Sequence, residues 1–188
     1  KLALACDPIS AYGGIVSCNF KINKKLAIEF NNIFLEAIIG NGIDNDALKI
    51  LKKRKNLRVI DAKNVKLENI QNINSSFNSI LIQSPDNNFF SSKNFRIVSK
   101  KKPSFTMLKN MIFAFNVCRS IKSNGIVLIK NDSTIGIGSG QPSRLDSCKI
   151  AINKMHQYQN IKNTDQIIAA SDAFFPFVDG IETLVQAG

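Results

Sequence analysis

Ten residues, Ser171-Asp-Ala-Phe-Phe-Pro-Phe-Val-Asp-Gly180, crowd three phenylalanines around one proline just past a predicted strand, where α/β proteins commonly place their ligands. A flat aromatic ligand could stack on such rings. The competing reading is a hydrophobic plug under a loop, with Asp179 only capping the next helix through Glu182. A second stretch, Gly136-Ile-Gly-Ser-Gly-Gln-Pro-Ser-Arg144, leads from a predicted strand into a helix. Its glycines let backbone approach a ligand, and the N-terminus of the helix supplies N–H groups and partial positive charge suited to an anion. Ser143 followed by Asp146 resembles a capping box. The pattern lacks the Lys-Ser/Thr of a phosphate-binding loop and the full spacing of a dinucleotide site. A tight turn with an ordinary cap and a solvated Arg144 therefore stays open.

Asn124, at the end of Lys122-Ser-Asn124, reads by itself as a helix-terminating amide. The single histidine, His156, lies in a polar helix end, reads as solvated and receives no catalytic role. Cys6, Cys18, Cys118 and Cys148 are widely separated, with no Cys-x-x-Cys pair. That argues against structural zinc and against a disulfide framework, leaving buried thiols.

The elements that must position these residues alternate as in α/β proteins. A turn at Gly13-Gly14 leads into a strand at residues 15–18, and Asn23 caps a helix with the stripe Leu26, Phe30, Ile33, Phe34 and Ala37. A strand at 36–39, a helix at 44–53 and a strand at 57–60 follow. Residues 61–78 read mostly as loop before a strand at 79–83. The polar interval 84–94 is the expected joint between subdomains, followed by a strand at 95–98. Pro103-Ser104 opens the longest helix, with Leu108, Met111, Ile112, Phe115, Cys118 and Ile121 along one stripe and an end near Ser123-Asn124. Strands at 125–129 and 134–138, joined at Asn131-Asp132, then a helix from Ser143, a strand at 167–171 and a helix from Asp179 complete the order β-β-α-β-α.

A chain of 188 residues, 44% hydrophobic, can build one ordinary core or parts of two smaller ones. No apolar run reaches the roughly 18 residues that cross a bilayer, so a soluble cytosolic protein without a membrane partner is expected. The net charge of +11 invites a nucleic-acid reading. The lysines are scattered and arginine, the preferred base reader, is sparse, so no nucleic-acid partner is expected. A basic binding module would reveal itself by tight, salt-sensitive binding. Lys1 and Gly188 both read as cut ends of a longer chain.

Four motifs in order, Asp7-Pro-Ile-Ser-Ala-Tyr-Gly-Gly14, Lys122-Ser-Asn-Gly-Ile-Val127, Gly136-Ile-Gly-Ser-Gly-Gln-Pro-Ser-Arg144 and Ser171-Asp-Ala-Phe-Phe-Pro-Phe-Val-Asp-Gly180, resemble the transformylase half of the bifunctional purine-biosynthesis family. That family joins phosphoribosylaminoimidazolecarboxamide formyltransferase to IMP cyclohydrolase. The resemblance implies parts of two tandem cytidine-deaminase-like, three-layer α/β subdomains: residues 1–85 as the later part of the first, residues 86–188 as most of the second, with the cyclohydrolase domain absent. It also implies a homodimer with shared active sites. The implied reaction is formyl transfer from the co-substrate 10-formyltetrahydrofolate to aminoimidazole-carboxamide ribotide (AICAR), without a catalytic metal.

Carried over residue by residue, Gly13, Glu36, Asn124, Arg144 and Phe174 match positions around AICAR, and Leu145 and Asp179 match folate-side positions. Among these Asn124 is the candidate for catalysis. Arg144 would supply a fixed cation, Asn124 an amide to orient the substrate's carboxamide, and Phe174 a face for the imidazole. The family's Lys-His pair is not in this sequence, so residues 1–188 alone are expected to be inactive, at most a dimerising remnant. Gly40-Asn41 stands where Ala-Pro is usual, Pro142 where Met or Gln is typical, and Gly125 where a larger residue is common. A zinc deaminase would share the implied fold, but its His/Cys-x-Glu and Pro-Cys-x-x-Cys motifs are missing.

Overall fold

Asn23 does what its position predicts: its side-chain oxygen accepts the Leu26 N–H at 3.0 Å and opens a helix, α2 (Lys24–Phe30). In the computed structural model, which describes residues 1–66, 71–162 and 166–188, the chain forms two units, Ile9–Asn87 and Lys1–Pro8 with Asn88–Gly188. The first eight residues, which carry the single turn α1 (Leu2–Ala5), thus pack with the later unit, although the sequence assigned residues 1–85 to one subdomain. Gln159 Nε2 donates to the Ala5 carbonyl at 2.7 Å, and Lys154 Nζ pairs with Asp7 at 2.6 Å.

In the Ile9–Asn87 unit, α2 stops at Phe30, before three members of its expected stripe, Ile33, Phe34 and Ala37. Asn31 and Asn32, poor helix formers, follow. Arg54 Nη1 then donates to the carbonyls of Phe30 (3.0 Å) and Ile33 (2.9 Å), satisfying acceptors left at the helix end. Phe34 becomes an exposed ring and Ala37 a buried strand residue. The strands β1 (Gly14–Cys18), β2 (Leu35–Gly40) and β3 (Arg58–Asp61) form a parallel sheet with β2 central. Helix α3 (Asn45–Leu51) joins α2 over a core of Ile22, Phe30, Leu35, Ile38 and Leu51. Each such large side chain contributes about 1.5–3 kcal/mol by leaving water.

The expectation of mostly loop over residues 61–78 fails at β4 (Asn72–Ser76), which pairs antiparallel with β5 (Ser79–Gln83). The polar composition Asn-Ile-Asn-Ser-Ser concealed it, because strand propensity yields to cross-strand pairing. The part of that expectation that falls on residues 67–70 lies outside the described residues.

In the other unit, no strand forms at residues 95–98. After the 3-10 turn Ser92–Asn94, Phe95 packs in a trio with Phe90 and Phe115, centroids 4.4–6.0 Å apart. Ring burial against the next helix displaces sheet pairing. That helix, α4 (Phe105–Cys118), starts where Ser104 Oγ accepts the Met107 N–H at 3.2 Å. It ends before Ile121 and Asn124, so Asn124 stands in the connection to the next strand rather than closing the helix. Strand β6 (Ile126–Lys130) is the centre of an antiparallel sheet, β7 (Ser133–Gly138) on one side and β8 (Ile168–Ser171) on the other. Asn131 and Asp132, both at positive φ (50° and 57°), make the β6–β7 hairpin turn.

Because strand side chains alternate, Val127 and Ile129 face α4, while Ile126 and Leu128 face the helix α5 (Arg144–Tyr158) through Cys148, Ala151 and Met155. The terminal helix α6 (Asp179–Gln186) adds Leu184 to that second face. The result is helix, sheet, helix, and the described residues are α/β with one parallel and two antiparallel sheets. Gly136 and Gly138 lie inside β7 and permit its close contact with α5, since a Cβ on Gly138 would stand 2.0 Å from the Ser147 carbonyl oxygen. The sequence credited these glycines to ligand approach; two of the three serve packing instead. Among the described residues no helix is long and apolar enough to cross a membrane.

Candidate functional site

One end of the β7-β6-β8 sheet collects three connections: the entry to β6, the exit from β7 and the exit from β8. Register sets this convergence, with Ile126 opposite both Gly138 and Ser171. Asn124 lies on the first connection, residues 139–143 on the second, and Asp172 to Val178 on the third.

Asn124 ties the first connection to the second. Its Nδ2 donates to the carbonyls of Gln141 and Pro142, both at 2.9 Å, and its carbonyl accepts Ser147 Oγ at 2.7 Å. Both amide hydrogens are therefore committed, and Oδ1 is the atom it can offer a ligand. Gly140, at φ +70°, turns the loop and donates its N–H to the Lys122 carbonyl at 2.8 Å. The capping box expected from Ser143 and Asp146 does not form, because Ser143 makes no side-chain cap. Asn124 holds this approach to the helix instead.

Arg144 ties the second connection to the third. Its Nη1 reaches Ser171 Oγ at 3.0 Å and Asp172 Oδ1 at 2.5 Å, and the two charged side chains are only 13% and 17% exposed. The solvated arginine is thus excluded. Asp172 also accepts the Gly125 N–H at 3.0 Å and the Ser123 hydroxyl. Burial pushes its carboxyl upward, but the hydrogen bonds from Ser123, Gly125 and Arg144 and the guanidinium charge outweigh this and hold it below its ordinary value of 3.8. A group depressed in this way stabilises the fold above its unfolded pKa, and the contribution is lost as pH falls through the folded value. Urea unfolding should therefore show a larger loss of stability between pH 5 and pH 3 for the parent than for Asp172→Asn, as about one pH unit around the ordinary carboxylate value is decisive; equal losses would contradict the assignment.

The phenylalanines divide. Phe175 packs inward, its ring 5.9 Å from the Arg144 guanidinium carbon and close against Gly180. Phe174 and Phe177 are 80% and 74% exposed. The plug and the stacking platform are therefore both present, in different residues. Leu145 is half-buried in the first turn of α5, and Asp179 is exposed at the start of α6, its carboxylate accepting the Gly180 N–H at 2.7 Å.

Gly13 and Glu36 belong to the Ile9–Asn87 unit. Gly13 takes φ +72° and donates its N–H to the Phe34 carbonyl at 3.0 Å. Phe34 stacks with Tyr12, centroids 4.9 Å apart. Glu36 pairs with Arg58 at 3.0 Å on the rim of a hollow of about 480 Å³ lined by Phe34, Glu36, Lys55, Asn56, Leu57 and Arg58.

The family described as AICARFT/IMPCHase bienzyme matches residues 1–154. The chain belongs to the AICARFT/IMPCHase bienzyme family. The bifunctional purine biosynthesis protein PurH of Parvibaculum lavamentivorans is 38% identical over 195 aligned positions, taking in 100% of this chain and 36% of that protein. PurH of Rhodospirillum rubrum is 39% identical, across 100% of this chain and 37% of its own length. PurH of Acetivibrio thermocellus is 36% identical, across 99% of this chain and 36% of its own length. The chain spans little more than a third of the length of these relatives.

Two residues of this AICARFT/IMPCHase bienzyme chain were assigned no role from sequence: Asp172 and Ser147. Asp172 follows the apolar strand Ile168–Ser171 directly, and an acid at that position is the signal the sequence carries. Ser147, fully buried, gave none. Gly40 and Gly125 lie against bulky neighbours: a Cβ at Gly40 would meet the end of Ile22 at 2.6 Å, and one at Gly125 the end of Ile121 at 2.7 Å. The cysteines are all free, with Cys6, Cys118 and Cys148 buried. Burial, with Asp172 adding and Arg144 opposing, pushes the Cys118 thiol up to about 11. It is a core thiol, protonated at neutral pH, and no nucleophile.

Proposed function

We propose that the full-length gene product carrying this chain transfers the formyl group of 10-formyltetrahydrofolate to AICAR, within IMP biosynthesis, and that the whole protein also carries the cyclohydrolase activity. The observation that supports this best is the convergence of Asn124, Arg144 and the Phe174 loop at one sheet end, in a chain of the AICARFT/IMPCHase bienzyme family.

The aromatic amine of AICAR is a poor nucleophile. Its nitrogen lone pair attacks the formyl carbon, the bond from that carbon to N10 of the folate breaks, and the amine proton ends on N10, giving FAICAR and tetrahydrofolate. Rate comes from holding the two groups together and stabilising the tetrahedral oxyanion. Asn124 Oδ1 accepts an N–H of the ribotide and orients it. Arg144 sets positive potential beside it, and Phe174 gives the imidazole a face. Leu145 and Asp179 serve the folate side. Gly13 and Glu36 are assigned to the ribotide on the resemblance alone. Cytidine-deaminase-like subdomains, a cytosolic homodimer with shared active sites and metal-free catalysis belong to the same reading, with the helix, sheet, helix layering in its support.

In the full-length protein, Phe174→Ala should lower kcat/KM by about tenfold, the upper end of the scale of a lost stacking contact. His156→Ala should stay within about twofold. Folate-coupled absorbance kinetics read both. An inert Phe174→Ala would remove the stacking face from the site.

A further inference from the structure

We infer that Asp172 is the positioning residue of this site, a single part-buried carboxylate that orients Arg144 and anchors the Asn124–Gly125 turn together; this rests on the assignment of both residues to the ribotide. Three features lead to it. Arg144 and Asp172 are both largely withdrawn from water, so neither charge is stable there without the other. Among the described residues both hydrogen bonds of the guanidinium, to Ser171 Oγ and Asp172 Oδ1, use Nη1. A guanidinium has five N–H donors in a rigid fork, so holding it by one corner aims the remaining edge in a fixed direction. Finally, the same carboxylate accepts the N–H of Gly125, the residue after Asn124, and Asp172 returns its own N–H to the Gly125 carbonyl at 3.2 Å.

The arrangement prepares the site before substrate arrives. An arginine free to sample rotamers would lose that freedom on binding, and pre-ordering it removes the cost from the binding step. Geometry is set for two substrate contacts by one group, so its loss should weaken ribotide binding and leave the folate side largely alone.

The test compares steady-state kinetics of the full-length protein with those of Asp172→Asn, Ser171→Ala, Arg144→Ala and the double variant Arg144→Ala/Asp172→Asn. Asp172→Asn keeps the size and an acceptor for Gly125 but removes the charge that holds Arg144. It should raise KM for AICAR about tenfold while KM for the folate stays within about twofold. Ser171→Ala, which leaves the ion pair intact, should raise KM for AICAR about twofold to threefold. Should Asp172→Asn fail to fold, Asp172→Glu, which keeps the charge but displaces its oxygens from Arg144 and Gly125, carries the test with the same rise confined to AICAR, and a parent-like AICAR KM for it would overturn the role. The double variant should bind AICAR no worse than Arg144→Ala, because the two residues act as one unit. An AICAR KM for Asp172→Asn within about twofold of the parent, alongside a raised value for Arg144→Ala, would overturn the positioning role and leave the substrate assignment standing. An unchanged AICAR KM for Arg144→Ala would instead remove the substrate assignment on which it rests.

Discussion

Asn124→Asp is expected to lower formyl transfer by the full-length protein about 100-fold or more, and to do more damage than Asn124→Ala. The two side chains are nearly the same shape, so size is not the cause. The amide nitrogen lies 2.9 Å from each of two carbonyl oxygens, Gln141 and Pro142. An aspartate would put an acceptor where a donor of two hydrogen bonds stood, and a partly buried negative charge against two carbonyl dipoles. Alanine removes the bonds without adding repulsion: the Gln141 carbonyl keeps the Asn124 backbone N–H at 3.3 Å, and the exposed Pro142 carbonyl turns to water. In both variants the loop of residues 139–143 loses its side-chain tie to Asn124, and Oδ1 of the amide is lost or re-aimed. Parent-like kcat/KM for Asn124→Asp would take Asn124 out of the site.

The largest effect on stability is expected at Gly138. An added methyl there would fall 2.0 Å from the Ser147 carbonyl oxygen and 2.8 Å from its carbon, which are backbone atoms of α5 and cannot rotate away. The helix must move off the sheet. Its inner face supplies Cys148, Ala151 and Met155 to the core beneath β6, so the shift opens packing along several turns. Overpacking costs about 1–3 kcal/mol and occasionally more, and a clash with backbone belongs at or above the top of that range. Gly140→Ala is the comparison. It has φ +70°, but an added Cβ would meet only Lys122 Cβ at an ordinary 3.8 Å, so its penalty is the left-handed backbone alone, about 1–2 kcal/mol. Urea midpoints separate the two, and a Gly138→Ala protein no less stable than Gly140→Ala would contradict the close packing of α5 on β7. Because α5 begins at Arg144, Gly138→Ala should also weaken AICAR binding.

How far the sequence reached depended on how local each cause was. Asn23 and Ser104 cap their helices through side chains three residues away, and spacing alone predicts them. The strand Ile126–Lys130 was legible because burial on both faces leaves an unbroken apolar run. The premature end of α2 was not, since it depends on Arg54 reaching back from a distant part of the chain. The hairpin Asn72–Gln83 was half hidden, because its polar first strand is specified by its partner. Phe95 was read as a strand residue for its type, whereas its destination was a ring cluster built by Phe90 and Phe115.

The site divides along the same line. Motif order marked the loops, but the direction of each group within them depends on contacts over long sequence separations. Arg144 was expected to be a cation facing either a ligand or solvent, and the partner that fixes it, Asp172, lies 28 residues on. Phe174 and Phe175 are adjacent and of one type, yet one is exposed and the other packs beneath the helices. Only the turn that β8 feeds decides which is which.

The most direct measurement is a crystal structure of the full-length protein with AICAR bound. The ribotide should lie at the β7-β6-β8 sheet end, within hydrogen-bonding distance of Asn124 Oδ1 and Arg144, its imidazole against the Phe174 ring. AICAR seated elsewhere, with Asn124 and Arg144 making only the contacts they make to Gln141, Pro142 and Asp172, would contradict the account.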